Sequence, residues 1–167
     1  MNDSLLPAIL VDKARQVVDA NRAAGRTVAV AESCTGGLVC AAITEIAGSS
    51  DVFETGYITY SDASKVAGLR VHRDVVDTFG AVSIATAWAM ARGALEASGA
   101  DVAVAITGIA GPDGGSVQKP VGTVVFACAV KGAEDKIVAD QKLFDAADGR
   151  SGVRLQAALC ALELLIP

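Results

Sequence analysis

The sequence predicts an α/β protein, a three-layer α/β/α sandwich around a mixed, mostly parallel sheet of about five strands with an antiparallel C-terminal hairpin. Three observations predict it. Hydrophobic residues make up 52% of the chain, yet they lie in short runs rich in Ala and Val, as buried strands and the helices covering them require. Strand-like and helix-like segments alternate in the order αβαβαααβββα, the pattern of helices laid on both faces of a sheet. The 167 residues are about one domain long, so one domain over residues 1–167 with one sizeable core is expected.

Each element has its own signal. From Leu5 to Ala24, the apolar positions Leu6, Ile9, Leu10, Ala14, Val17 and Val18 recur at helical spacing, and Gly25 supplies a stop. Thr27 to Ala31 is a short β-prone run that leads into Glu32-Ser33-Cys34-Thr35-Gly36-Gly37, and Leu38 to Ile46 is again helical. After the loop Ala47-Gly48-Ser49-Ser50, a second strand is expected over Phe53 to Tyr60, followed by a short helix carrying Lys65. Arg73 to Phe79 and Ser83 to Ser98 form two more helices, the second capped by Ser83 and closed by Gly99. Asp101 to Thr107, nearly continuous in apolar residues, is a central strand, and Gly108 to Ser116 is too rich in Gly and Pro to be other than a loop. Val121 to Val130 and Lys136 to Phe144 make a hairpin across Lys131-Gly132-Ala133-Glu134-Asp135, and Arg150 to Leu165 is the last helix.

Composition excludes several function classes. Mean hydropathy is +0.45, but the longest apolar runs are broken by Gly, Thr or charge well short of the ~18 residues of a spanning helix, so no membrane association is expected. The N-terminus, Met-Asn-Asp-Ser-Leu-Leu-Pro, lacks the basic and apolar regions of a secretory signal, so a cytoplasmic protein is expected. Formal charge is −5 without a basic run, so no nucleic-acid partner is expected. The four cysteines, Cys34, Cys40, Cys128 and Cys160, have no metal-ligand spacing and read as reduced thiols. Neither metal nor organic cofactor is expected.

Open α/β sheets bind ligands beyond the carboxyl ends of their strands. Three segments qualify, because Ser33 to Gly37, Ser61 to Ser64 and Gly108 to Gly115 each follow a strand. The first is a candidate anion site, with backbone N–H groups of Thr35, Gly36 and Gly37 at a helix start; a plain helix cap by Ser33 or Thr35 is the simpler account of the same residues. The third lets the backbone approach a ligand closely, or is a long surface turn. His72 is the sole histidine and sits in a turn, so a Ser-His-Asp or Cys-His arrangement is disfavoured. Lysine replaces histidine as a base when desolvation lowers its pKa. Lys65, leaving an apolar strand near Tyr60, fits that role or is a surface lysine.

The segments Ala31-Glu32-Ser33-Cys34-Thr35-Gly36-Gly37, Gly48-Ser49-Ser50, Tyr60 to Lys65, Gly80-Ala81-Val82-Ser83, Gly108 to Gly115 and Lys119-Pro120-Val121-Gly122-Thr123-Val124 closely resemble the CinA C-terminal domain family. That resemblance implies a nicotinamide-nucleotide amidase that releases ammonia from nicotinamide mononucleotide by a serine and lysine mechanism. It implies Ser50 as nucleophile, Lys65 as base, Tyr60 as the assisting group and Ser33 as a substrate-binding or secondary catalytic residue. The bare residues do not separate Ser50 from Ser33. For the ribose phosphate, the candidates are Thr107, Gly108 and Gly111, the Gly36-Gly37 turn, and Arg150 with Arg154 on one helix face; the two arginines are equally read as a solvated face. Many family members carry an additional N-terminal domain, whose activity is not transferred here. A surface rich in Ala and Val, with the family's habit of assembly, implies a homo-oligomer. A nucleotide-binding module without turnover is the competing expectation, and a purely structural assembly protein a third.

Overall fold

A computed structural model describes residues 4–133 and 135–167; Met1, Asn2 and Asp3 of the N-terminal stretch and Glu134 of the hairpin turn lie outside them. The elements run α1 (Ala8–Ala24), β1 (Val28–Glu32), α2 (Leu38–Thr44), a single 3-10 turn (Ser49–Asp51), β2 (Phe53–Ile58), α3 (Asp62–Leu69), α4 (Arg73–Phe79), α5 (Ile84–Ser98), β3 (Val102–Gly108), β4 (Thr123–Val130), β5 (Val138–Leu143) and α6 (Gly149–Leu164). The expected order is reproduced, with ends trimmed for physical reasons. Helix α1 starts three residues late because Pro7 is extended (φ −54°, ψ 136°) and stands outside the helix as its N-cap. Strand β2 stops at Ile58 because the carbonyls of Thr59 and Tyr60 turn towards the Lys65 amine. Strand β4 starts at Thr123, after Gly122 takes φ +97°.

The strand order is β2-β1-β3-β4-β5. β1 pairs parallel with β2 and with β3, whereas β4 pairs antiparallel with both β3 and β5. Four strands therefore share one direction and β4 alone is reversed. The antiparallel part extends past the hairpin because the loop from Ile109 to Gly122 returns the chain directly alongside β3, with no crossover helix to restore direction.

The two faces of the sheet differ in residue size. Val28, Val30, Val102, Val104, Ile106, Val124 and Phe126 point to one face and pack with α1, α2 and α6. The intervening positions, Ala29, Ala31, Ala103, Ala105, Ala127 and Ala129, line the other, where α5 lies with Ala87, Met90, Ala91 and Ala94, supported by Leu69 of α3 and Val76 of α4. Alternation sorts the side chains because successive strand residues point to opposite faces. Small residues let α5 approach closely. The fit between helices is equally tight, since a Cβ on Gly93 would fall 2.0 Å from the Leu69 carbonyl oxygen. α5 is capped as expected, with the Ser83 side chain accepting from Thr86 N and Gly99 left-handed after the last turn. No helix among the described residues is long and apolar enough to cross a membrane.

Candidate active site

The carboxyl ends of β1, β2 and β3 converge on a cavity of about 150 Å³, lined among others by Ser33, Tyr60, Asp62, Lys65, Thr107 and Arg150. Lys65 leaves the first turns of α3, a helix whose start is fixed by reciprocal hydrogen bonds between Ser61 and Ser64. Its side chain is only 1% exposed. The Lys65 Nζ donates to the Thr59 carbonyl at 2.9 Å and the Tyr60 carbonyl at 3.3 Å, and lies 3.1 Å from Ser33 Oγ. Burial pulls the amine below its ordinary 10.5, with Asp62 and then Cys34 pulling the other way. In its neutral form, an amine with both N–H bonds on carbonyls turns its lone pair to the third neighbour, the Ser33 hydroxyl. That is the geometry of a nucleophile and its base.

Ser33, 7% exposed, stands one residue past the end of β1, held by its amide on the Ile106 carbonyl at 2.9 Å. The turn behind it is closed by a group that the motif reading left without a role. Glu32, fully buried, accepts from Gly37 N at 3.0 Å, Val39 N at 3.2 Å and Cys40 N at 2.9 Å. Gly36 N and Leu38 N go to the carbonyls of Ser33 and Thr35. The start of α2 is thereby filled by the chain's own carboxylate, and the Gly36-Gly37 turn is not free to take a phosphate as the sequence suggested. The signal was a charged residue at the end of an otherwise apolar strand. The Thr35 amide, by contrast, has no acceptor among the described residues, and the Cys34 amide lies against its own thiol. Thr35 itself is buried, with its hydroxyl unpartnered, and it does not line the cavity.

Cys34, beside Ser33, is a second candidate nucleophile by position, but burial pushes its thiol up to about 11, so it stays protonated at neutral pH. Cys40, Cys128 and Cys160 are also unpaired and also pushed up by burial. Gly108 packs against this turn, since a Cβ there would lie 2.8 Å from Val124 Cγ2 and 3.1 Å from Cys34 Sγ. The Thr107 hydroxyl donates to the Ala81 carbonyl at 2.9 Å, drawing the Gly80–Ser83 loop over the cavity.

Helix α6 brings the two arginines to the same end. Arg154 donates from Nε to the Cys34 carbonyl at 3.1 Å and from Nη2 to the Thr35 carbonyl at 3.0 Å. Arg150 donates from Nη1 to the Gly111 carbonyl and from Nη2 to the Tyr60 hydroxyl, both at 2.8 Å. None of Lys65, Arg150 and Arg154 forms an ion pair with a carboxylate among the described residues. In a chain of net charge −5, two guanidiniums without a carboxylate partner among the described residues make that end of the sheet attractive to anions, with Asp62 the one carboxylate in the cavity lining.

Ser50 is elsewhere. It is exposed in the turn before β2, beside the amino end of β1, where Val28 N donates to the Val52 carbonyl. Because β1 and β2 are parallel, the five-residue length of β1 separates it from Ser33 by roughly 15 Å. The structure therefore brings Lys65 and Tyr60 together with Ser33 and not with Ser50. His72 is exposed, 3.6 Å from Asp74, and borders a wider apolar groove of about 760 Å³ with Trp88 and Phe79, and it does not line the Ser33 cavity. That groove is larger than the Ser33 cavity but holds neither a buried base nor a nucleophile. Among the described residues no cluster of three or more His, Cys, Asp or Glu side chains could hold a metal.

The model of the CinA C-terminal domain matches residues 11–167. The chain belongs to the CinA C-terminal domain family. It is 49% identical over 142 residues to the nicotinamide-nucleotide amidohydrolase PncC of Enterobacter agglomerans, covering 85% of this chain and 84% of that one. Its identity to the protein of the same name from Escherichia coli K12 is 47% over 156 residues, 93% of this chain and 92% of that one. Among solved structures, a competence/damage inducible protein from Agrobacterium tumefaciens superposes with a TM-score of 0.92 at 44% identity, covering 98% and 97% of the two chains. Within this CinA-family domain, the motifs that carry the sequence resemblance separate in space: the Ser33, Lys65 and Gly108 segments meet at the cavity, and Gly48-Ser49-Ser50 lies at the opposite end.

Proposed function

We propose that this protein is a nicotinamide-nucleotide amidohydrolase in which Ser33, rather than Ser50, is the nucleophile and Lys65 its base. The observation that carries the proposal is the buried Lys65 amine, held by two backbone carbonyls and directed at Ser33 Oγ. Two relatives of similar length that bear the amidohydrolase name supply the substrate. With that reading go the further proposals of no metal or cofactor, one domain over residues 1–167, and a homo-oligomer in the cytoplasm.

The steps follow from the groups in place. Neutral Lys65 takes the Ser33 hydroxyl proton as Oγ bonds to the carboxamide carbon, and the carbonyl oxygen becomes an oxyanion. The carbon–nitrogen bond breaks, and the amide nitrogen gains a proton and leaves as ammonia. Water then attacks the acyl ester, giving its proton to Lys65, and Ser33 departs with a proton restored to Oγ. The products are ammonia and the nucleotide carboxylate.

A cavity of about 150 Å³ is smaller than the ~300–1,000 Å³ of sites that enclose a whole ligand. It takes the carboxamide end, and the ribose phosphate lies across the rim. There Arg150 and Arg154, each with N–H donors to spare, meet the phosphate. The experiment is ammonia release from nicotinamide mononucleotide by purified protein. Turnover that disappears in Ser33→Ala is expected; binding of the nucleotide without ammonia release defeats the enzyme reading and favours a silent binding module.

A further inference from the structure

The hydrogen bond between Arg150 and Tyr60 is not required for binding a phosphate. A guanidinium only donates, so in the 2.8 Å contact the Tyr60 oxygen accepts and the phenolic proton is left to point elsewhere. The Tyr60 hydroxyl has no other protein partner among the described residues, and its residue is 61% exposed. A ring so exposed has little packing to fix it. Arg150 supplies the fixing, because its other arm is anchored on the Gly111 carbonyl. Gly111 is itself confined, at φ +83° with Val121 Cγ1 2.5 Å from where a Cβ would stand. Arg150 also has no carboxylate to neutralise it among the described residues, so its full charge faces the phenol oxygen.

We infer that Arg150 is a positioning residue that acts through Tyr60, aiming the phenol proton at the departing amine and stabilising the phenolate left behind. This rests on the amidohydrolase reading above. As the carbon–nitrogen bond of the tetrahedral adduct breaks, the electron pair goes to nitrogen, which takes the Tyr60 proton and leaves as ammonia. The phenolate forms against the guanidinium. The proton that Lys65 took from Ser33 then returns to Tyr60, so the proton lost by the serine is balanced by the one carried off in ammonia. Lys65 is left neutral for the hydrolytic half.

The test is a double-mutant cycle on nicotinamide mononucleotide, with kcat and KM separated. Tyr60→Phe is expected to lower kcat about 100-fold and Arg150→Met about 10-fold to 100-fold, and the double variant falls no lower than Tyr60→Phe alone. Arg150→Lys keeps the charge but not the two-armed geometry, and recovers less than half of the lost kcat. Four results overturn the inference: an Arg150→Met loss confined to KM, full recovery of kcat by Arg150→Lys, an unchanged kcat in Tyr60→Phe, or a double variant that loses the product of the two single effects. Fold changes are referred to the native fraction of each variant from its unfolding curve, which separates misfolding from chemistry. Absence of ammonia release by the unaltered protein defeats the parent reading instead, and is seen before any variant is made.

Discussion

The turn at Ser33 and the turn at Ser50 are alike in sequence, each a serine within three residues of a glycine in a turn beside a strand, and they differ in what surrounds them. At Ser50 the nearby cation is committed: Arg22 lies 3.2 Å from Asp19 and 3.7 Å from Asp51, and donates to the Gly48 carbonyl at 2.9 Å. At Ser33 the cations Lys65, Arg150 and Arg154 touch carbonyls and hydroxyls and no carboxylate among the described residues. A serine becomes a candidate nucleophile where positive charge is buried or left unneutralised beside it. Where charge is matched in solvent, it remains a surface hydroxyl.

The largest expected effect tests that contrast directly. Ser33→Ala lowers kcat/KM for ammonia release by at least about 10³-fold, while Ser50→Ala stays within about twofold; the reverse ranking would break the comparison.

Next comes the pH profile. Activity requires neutral Lys65, so kcat/KM rises with pH through the amine's folded-state pKa, which burial holds below 10.5, and an acid limb centred at or above 10.5 would contradict the assignment. The stability sign is also fixed. Between the lowered folded pKa and the ordinary value, the unfolded chain binds more protons at Lys65 than the folded one, so raising pH through that window favours folding. Measured by denaturant unfolding, the stability of the unaltered protein relative to Lys65→Met therefore improves as pH climbs towards 10.5.

A smaller effect concerns the turn itself. Glu32→Gln replaces one acceptor oxygen by an amide that faces N–H donors, and is expected to cost about 2–4 kcal/mol of unfolding free energy. The smallest is at the other turn, where Arg22→Met changes stability by less than about 1 kcal/mol and leaves ammonia release unaltered.

Most of the fold was legible because periodicity and stop signals are local. Gly25 and Gly99 ended helices where they were expected to, and Ser83 capped one. Two features were not local. The Val and Ala faces of the sheet become distinct only when β1, β3 and β4 are paired in register. Glu32 reads as a charge ending a strand until α2 folds back to present three amides to it. The site was half legible. Lys65 and Tyr60 were reached from their strand exit and from resemblance, but nothing in the spacing says which serine the Lys65 side chain meets, since that depends on which end of a parallel strand each turn occupies. The resemblance pointed to Ser50, and the pairing of β1 with β2 and the reach of Lys65 are what support the proposal of Ser33.

Glu32 has one more consequence. Because the reactive turn is sealed by a residue of its own strand, the serine is held in place whether or not a nucleotide is present. Affinity for the distant part of the substrate rests instead on side chains of α6 that reach in from outside. The protein is in that sense two parts, a fixed cutting edge and a handle, joined at Arg150 and Arg154, whose bonds to Tyr60 and to the Cys34 and Thr35 carbonyls tie the handle to the edge.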